Sequence, residues 1–165
     1  MSHDVLTTLA TLAGARLKAR GLRLACAESC TGGWIAMAVT AIAGSSDWFD
    51  RGFVTYSNQA KKEMLGVASA TLEAHGAVSE ATAREMVQGA IANSRAQVAV
   101  AVTGIAGPGG GSEAKPVGTV CIAWAGPDGR KRCETRHFEG DREQVRRKTV
   151  IAALQGIIEQ LEENQ

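Results

Sequence analysis

Ala27-Glu28-Ser29-Cys30-Thr31-Gly32-Gly33-Trp34 marks the point where an apolar run, Leu22 to Ala27, stops and a helical spacing of apolar residues (Trp34, Ile35, Met37, Ala38, Ile42) begins. The run reads as a buried strand and the spacing as a helix. A serine at such a junction stands at the C-terminal edge of a strand and the positive end of a helix dipole. Free backbone N–H groups there can hold a developing negative charge. An α/β enzyme would put a nucleophile at this place, and Ser29 is the candidate. Capping of the helix by Ser29 or Thr31 is an equally ordinary use of the same residues.

On the N-terminal side, Val5, Leu6, Leu9, Leu12, Ala13 and Leu17 repeat at helical spacing, and Gly21 supplies a stop. On the C-terminal side, Phe53 to Tyr56 is a short strand candidate after the turn-rich Gly44-Ser45-Ser46-Asp47, and Gln59 to Gly66 reads as a short helix ended by glycine. Ala74-His75-Gly76 reads as a turn, and Ser79 as the cap of a helix that buries Met86, Val87, Ala90 and Ile91. Gln97 to Val102 is an unbroken apolar strand of the parallel, doubly covered kind. A glycine-rich loop, Gly104 to Gly118, leads to two strands, Thr119 to Ala125 and Arg132 to Phe138, joined by the turn Gly126-Pro127-Asp128-Gly129 as a hairpin. Asp141 with Gln144 has capping-box spacing before the last helix. This alternation predicts an α/β fold: a three-layer α/β/α sandwich around a mixed, mainly parallel sheet with a late antiparallel hairpin.

The 165 residues suit a single domain, 1–165, with no internal repeat or linker. A net charge of +1 gives no field suited to long nucleic acid, although a small anionic ligand stays open. No apolar run approaches the roughly 20 residues of a membrane span, and residues 1–20 lack a signal-peptide core. A soluble, cytoplasmic protein is expected. Cys26, Cys30, Cys121 and Cys133 lack metal-knuckle spacing, and His3, His75 and His137 are scattered, so the reading expects reduced thiols, no metal and no cofactor.

A serine hydroxyl needs a base to take its proton. No histidine is placed near Ser29 by the sequence, which leaves lysine, provided its pKa is lowered by desolvation or a neighbouring cation. Lys61 shares a helix face with Met64 and Leu65, whereas Lys62 projects beside Gly66, so Lys61 is the better base. Two solvated surface lysines are the commoner outcome for such a pair. Tyr56 could relay a proton, orient the lysine or simply pack its ring. Ser46 matters if its turn folds back to Ser29. The loop from Thr103 and Gly104 to Ser112 follows a buried strand, where α/β sheets place ligands. It lacks the Gly-Lys-Ser/Thr of a Walker A loop, and its G-x-G-x-x-A, Gly109 to Ala114, precedes a strand instead of a helix. Arg142 and Arg146 share a face at the start of the last helix, where cations oppose the helix dipole. Either Glu139, Asp141 and Glu143 relieve them, or a ligand phosphate held by Arg142 does.

Taken in order, A-E-S-C-T-G-G (27–33), G-S-S-x-W-F-x-R-G-F-V-T-Y-S-N-x-A-K (44–61), H-G-A-V-S (75–79), T-G-I-A-G-P (103–108) and K-P-V-G-T-V (115–120) resemble the CinA C-terminal domain family, and more closely its stand-alone nicotinamide-nucleotide amidases. The resemblance runs from about Val5 to Leu161. It implies hydrolysis of the carboxamide of nicotinamide mononucleotide to nicotinate mononucleotide and ammonia, in pyridine-nucleotide recycling. It implies Ser29 as nucleophile and Lys61 as base, with Ser46 and Tyr56 as supporting polar groups. Thr103, Gly104 and Arg142 match positions around the substrate pocket, and N–H groups of the turn holding Thr31, Gly32 and Gly33 would receive the oxyanion.

Gly109 stands where relatives often carry an acidic or polar residue, so no side-chain role transfers there. The N-terminal nucleotide-processing domain of larger relatives is expected to be missing, which leaves the amidase activity alone. Two rival readings stand beside this one: a nucleotide-binding or protein-partner module without catalysis, and a thiol enzyme using Cys30. Cys30 should face about 100° away from Ser29 on a helix, so the two should not share a site. A small nucleotide is the expected partner, with no membrane and no long nucleic acid. An exposed edge strand or apolar patch would support a homo-oligomer, most simply a dimer.

Overall fold

The computed structural model describes residues 4–162, so His3 lies outside the described residues. Asp4 caps the first helix, α1 (Val5–Ala19), its carboxylate accepting the Leu6 amide at 3.0 Å. Strand β1 (Leu24–Glu28) is buried throughout and is followed by helix α2 (Trp34–Thr40). A single 3-10 turn, Ser45–Asp47, leads into β2 (Phe49–Val54). Then come α3 (Asn58–Leu65), α4 (Ser69–His75) and α5 (Glu80–Ala92). Strands β3 (Val98–Gly104), β4 (Thr119–Ala125) and β5 (Lys131–His137) precede the long α6 (Arg142–Glu162).

The strands form one mixed sheet in the order β2-β1-β3-β4-β5. β1 runs parallel to both β2 and β3, while β3–β4 and β4–β5 are antiparallel, so parallel pairings make up half of the sheet. Side chains alternate between faces along a strand, and here the alternation sorts by size. Leu24, Cys26, Val98, Val100, Val102, Ile122 and Trp124 point toward a core shared with α1, α2 and α6. Ala25, Ala27, Ala99, Ala101 and Ala123 point the other way, against Leu65 of α3 and Ala83, Met86, Val87 and Ala90 of α5. Helices therefore cover both faces, giving three layers. No helix among the described residues is long and apolar enough to cross a membrane.

Three local differences from the sequence reading stand out. β2 begins four residues earlier than the reading placed it and stops at Val54, which leaves Tyr56 in the loop. α4 has no counterpart in the sequence reading, which assigns only its last two residues, Ala74-His75, to a turn; its N-cap, Ala68, has no capping side chain and none of its residues is buried, so it carries neither signal that marks a helix. β5 is offset by one residue.

The parallel arrangement decides where chemistry can occur. β1, β2 and β3 all end at the same edge of the sheet, β4 starts there opposite Gly104, and β5 ends there opposite Thr119. The chain turns from β1 outward to β2 and then back across to β3, which opens a crevice at that edge, the usual ligand position in such sheets.

Candidate active site

Glu28, the last residue of β1, is completely buried and organises the turn that follows. Its Oε1 accepts Thr31 Oγ1 at 2.6 Å, the Ile35 amide at 2.8 Å and the Gly33 amide at 3.2 Å, and its Oε2 accepts the Ala36 amide at 3.0 Å. A carboxylate at the positive end of α2 satisfies N–H groups that a short helix would otherwise leave bare. The capping role offered to Ser29 or Thr31 thus belongs to Glu28; Gly33 holds the N-cap position with no side-chain bond. Gly32 and Gly33 have φ of +59° and +107°, a left-handed path that explains why two glycines follow each other here. The Ser29 hydroxyl is left free for another partner.

That partner is Lys61. Ser57 caps α3 through the Ala60 amide at 3.0 Å, and the helix carries Lys61 inward to 1% exposure. Its Nζ lies 3.0 Å from Ser29 Oγ, 2.9 Å from Thr55 O and 3.2 Å from Tyr56 O. Burial pulls its pKa below the ordinary lysine value of 10.5. A neutral amine can donate to both carbonyls and turn its lone pair to the serine proton. Once protonated, it has three acceptors for three N–H bonds. Lys62, by contrast, is only partly buried.

Ser29, Lys61, Tyr56, Thr103, Gly104 and Arg142 line one cavity of about 310 Å³, within the range of small-molecule sites. Thr103 Oγ1 donates to Ala77 O at 2.9 Å, and a Cβ on Gly104 would meet Val120 Cγ2 at 2.7 Å. Arg142 reaches across from the start of α6, donating to Gly107 O at 2.7 Å and to the Tyr56 hydroxyl at 3.3 Å. Tyr56 is 61% exposed; its carbonyl touches Lys61 while its hydroxyl touches Arg142.

Several expected residues are not brought into this cavity. Ser46 lies at the other edge of the sheet: its carbonyl accepts Arg23 Nη1 at 3.2 Å beside the start of β1, whereas Ser29 follows the end of that strand. Residues before β2 and after β1 are on opposite edges because the two strands are parallel. Thr31, Gly32 and Gly33 line a separate cavity of about 370 Å³, together with Trp34, Met37, Glu143 and Arg146. Arg146 donates to Cys30 O and Thr31 O, both at 3.0 Å, so it grips the turn while Arg142 faces the Ser29 cavity. Cys30 does share the Ser29 cavity, against the helical-wheel expectation, since the turn between them is not helical. Burial pushes its thiol up to about 12, which leaves almost no thiolate at neutral pH. Sequence reading missed the anchoring by Glu28, for which an acid just ahead of a helix was the available signal, and the Thr55 and Gly107 carbonyls, for which there was none.

The chain matches the CinA C-terminal domain over residues 6–161. It is 54% identical over 164 residues to a nicotinamide-nucleotide amidohydrolase PncC of Enterobacter agglomerans, covering 99% of this chain and 100% of that one. It is 52% identical over 164 residues to the protein of the same name from Escherichia coli (strain K12), covering 99% of each. The crystal structure of the competence/damage inducible protein CihA from Agrobacterium tumefaciens superposes with a TM-score of 0.94 at 49% identity over 100% of both chains.

Proposed function

This chain belongs to the CinA C-terminal domain family, and we propose that it hydrolyses the carboxamide of nicotinamide mononucleotide to nicotinate mononucleotide and ammonia through a Ser29 acyl-enzyme, with Lys61 as base. It is an amidohydrolase, as are relatives more than half identical to it over their full length. The observation that carries the mechanism is the 3.0 Å contact between a buried, desolvated amine and a serine hydroxyl at the strand-end crevice.

Neutral Lys61 takes the proton of Ser29 as Oγ bonds to the amide carbon, and the carbonyl electron pair moves onto oxygen. The protonated lysine then gives its proton to the amide nitrogen, the C–N bond breaks, ammonia leaves, and an ester remains on Ser29. Water attacks that ester while Lys61 takes its proton; the acid departs and Ser29 regains a proton from Lys61. The positively charged pyridinium ring of the substrate would favour the neutral amine further. Arg142 would hold the phosphate, and this remote binding energy would position the carboxamide against Ser29. A cytoplasmic setting is part of the proposal and is supported by four free thiols.

Ser29→Ala and Lys61→Ala should each lower ammonia release from nicotinamide mononucleotide by about 10³-fold or more, with circular dichroism unchanged. Full activity in either variant refutes the mechanism.

A further inference from the structure

Buried polar groups in folded proteins are nearly always hydrogen-bonded, so one that is not calls for a reason. Thr55 carries such a group: the residue is completely buried, and its Oγ1 has no hydrogen-bond partner among the described residues. A hydroxyl left bare in this way lowers stability, and a valine of the same shape would remove the penalty.

The sheet decides what Thr55 can act on. β1 and β2 pair in parallel with Ala27 opposite Phe53, and both side chains lie on the face covered by α3 and α5. Two residues further along each strand, alternation brings Ser29 and Thr55 to that same face, on neighbours about 4.8 Å apart. Backbone pairing continues past the strand ends, since Thr55 N donates to Glu28 O at 2.8 Å and Ser29 N to Val102 O at 3.1 Å. From α3, Lys61 descends on this pair, its Nζ 3.0 Å from Ser29 Oγ and 2.9 Å from Thr55 O. Thr55 therefore gives its carbonyl to the resting amine and leaves its hydroxyl unused.

The reaction changes what Lys61 needs. A neutral amine has two N–H groups, which the Thr55 and Tyr56 carbonyls take, and a lone pair for the serine proton. The ammonium has three N–H groups, and Ser29 Oγ weakens as an acceptor once it carries the acyl carbon. A buried charge short of an acceptor is strongly unfavourable. Rotation about Cα–Cβ can turn the Thr55 hydroxyl, and with no partner at rest it gives up no hydrogen bond in doing so.

We propose that Thr55 is a positioning residue for the reaction: its hydroxyl, unpartnered at rest, accepts a hydrogen bond from the Lys61 ammonium and so steadies the charged form of the base. The inference rests on the Ser29–Lys61 reading. Among the described residues, Cys30 is the titratable neighbour of Lys61, its thiol pushed up to about 12 by burial, and Tyr56 and Arg142 share its cavity. Glu28 is turned to α2, and Glu85 of α5 to Ala68 and Thr71. None of these groups bonds Thr55 Oγ1, so a shift in the titration of Lys61 on changing residue 55 reports the hydroxyl.

The experiment measures kcat, KM, the pH profile of ammonia release from nicotinamide mononucleotide and the thermal midpoint for the whole chain and its Thr55→Val, Thr55→Ser and Ser29→Ala variants. Thr55→Val keeps the shape and deletes the hydroxyl. It should raise the midpoint by about 2–4 °C and lower kcat about 10-fold, with KM within about threefold. The rising limb of kcat/KM should also move to lower pH, because the ammonium has lost an acceptor. Thr55→Ser keeps the hydroxyl and should hold kcat within about threefold, with the limb in place. A more stable but slower enzyme is the signature that a purely structural hydroxyl would not give. Thr55→Val with the kcat and limb of the parent overturns the proposal. So does a Thr55→Val that is less stable or unfolded, which would mean that the hydroxyl has a partner at rest, and so does a Thr55→Ser as slow as Thr55→Val. Activity retained in Ser29→Ala strikes down the serine mechanism and this role with it, whereas an inactive Ser29→Ala beside an unchanged Thr55→Val removes only the role of Thr55.

Discussion

Lys61 holds the site's titration. Its amine has been taken out of water and given two backbone carbonyls and a serine hydroxyl in exchange, and the lowered pKa follows from that desolvation. A base acts in its deprotonated form, so kcat/KM should rise with pH along a limb centred below the ordinary lysine value of 10.5. The sign for stability runs the same way. Between the lowered folded pKa and 10.5 the unfolded chain binds more protons than the folded one, so stability rises with pH across that window. A pH–rate profile together with chemical unfolding at several pH values checks both; a limb at or above the free lysine value would contradict the desolvated base. Cys30, next to Ser29, shows the same force with the opposite result: burial suppresses the charged form of each group, which activates an amine and silences a thiol.

At the scale of elements, the turn between β1 and α2 is held from two sides. Glu28 ties down the start of α2 from within, and Arg146 of α6 holds the carbonyls of Cys30 and Thr31. Replacing Glu28 by alanine would strand three helix amides and the Thr31 hydroxyl in a buried place. The expected cost is about 3–5 kcal/mol, since each buried donor left without an acceptor costs about 1–3 kcal/mol and part of that is recovered by relaxation. For a chain of this size that lowers the thermal midpoint by roughly 2–4 °C per kcal/mol. Differential scanning calorimetry measures it, and a midpoint within about 2 °C of the parent would show that the carboxylate does not anchor the turn. The start of α6 is held by a reciprocal box, with Asp141 N donating to Gln144 Oε1 at 2.8 Å and Gln144 N donating to Asp141 Oδ1 at 2.9 Å. That box fixes the end of the helix from which Arg142 and Arg146 project.

At the scale of the whole molecule, the placement of those arginines depends on how α6 rests on the sheet. Trp124 of β4 is buried against α6, its indole N–H donating to Ala153 O at 3.0 Å. A Cβ on Gly156 would fall 2.1 Å from the Trp124 ring. Gly156→Ala should therefore lift the helix, cost about 1–3 kcal/mol and lower the thermal midpoint. It should also raise KM for nicotinamide mononucleotide by displacing Arg142, and steady-state kinetics beside thermal melts test the link. A destabilised variant with unchanged KM would show that the front of α6 is held independently of its middle.

The sequence by itself determined the elements whose signals are local. Apolar runs marked β1 and β3 as buried strands, the turn Gly126-Pro127-Asp128-Gly129 marked the β4–β5 hairpin, Ser79 and the Asp141–Gln144 pair marked helix starts, and the motif from Ala27 to Gly33 marked the junction that carries Ser29. These are interactions within a few residues, and spacing along the chain records them directly. Only the tertiary structure decided that Lys61 meets Ser29 directly while the Thr55 and Tyr56 carbonyls hold the same amine, that Ser46 lies at the far edge of the sheet, and that the two glycines of the turn face a different cavity from Ser29. Those outcomes follow from strand order and from which helix covers which face. Strand order and coverage are set by burying entire surfaces at once, and no short stretch of residues encodes that sum.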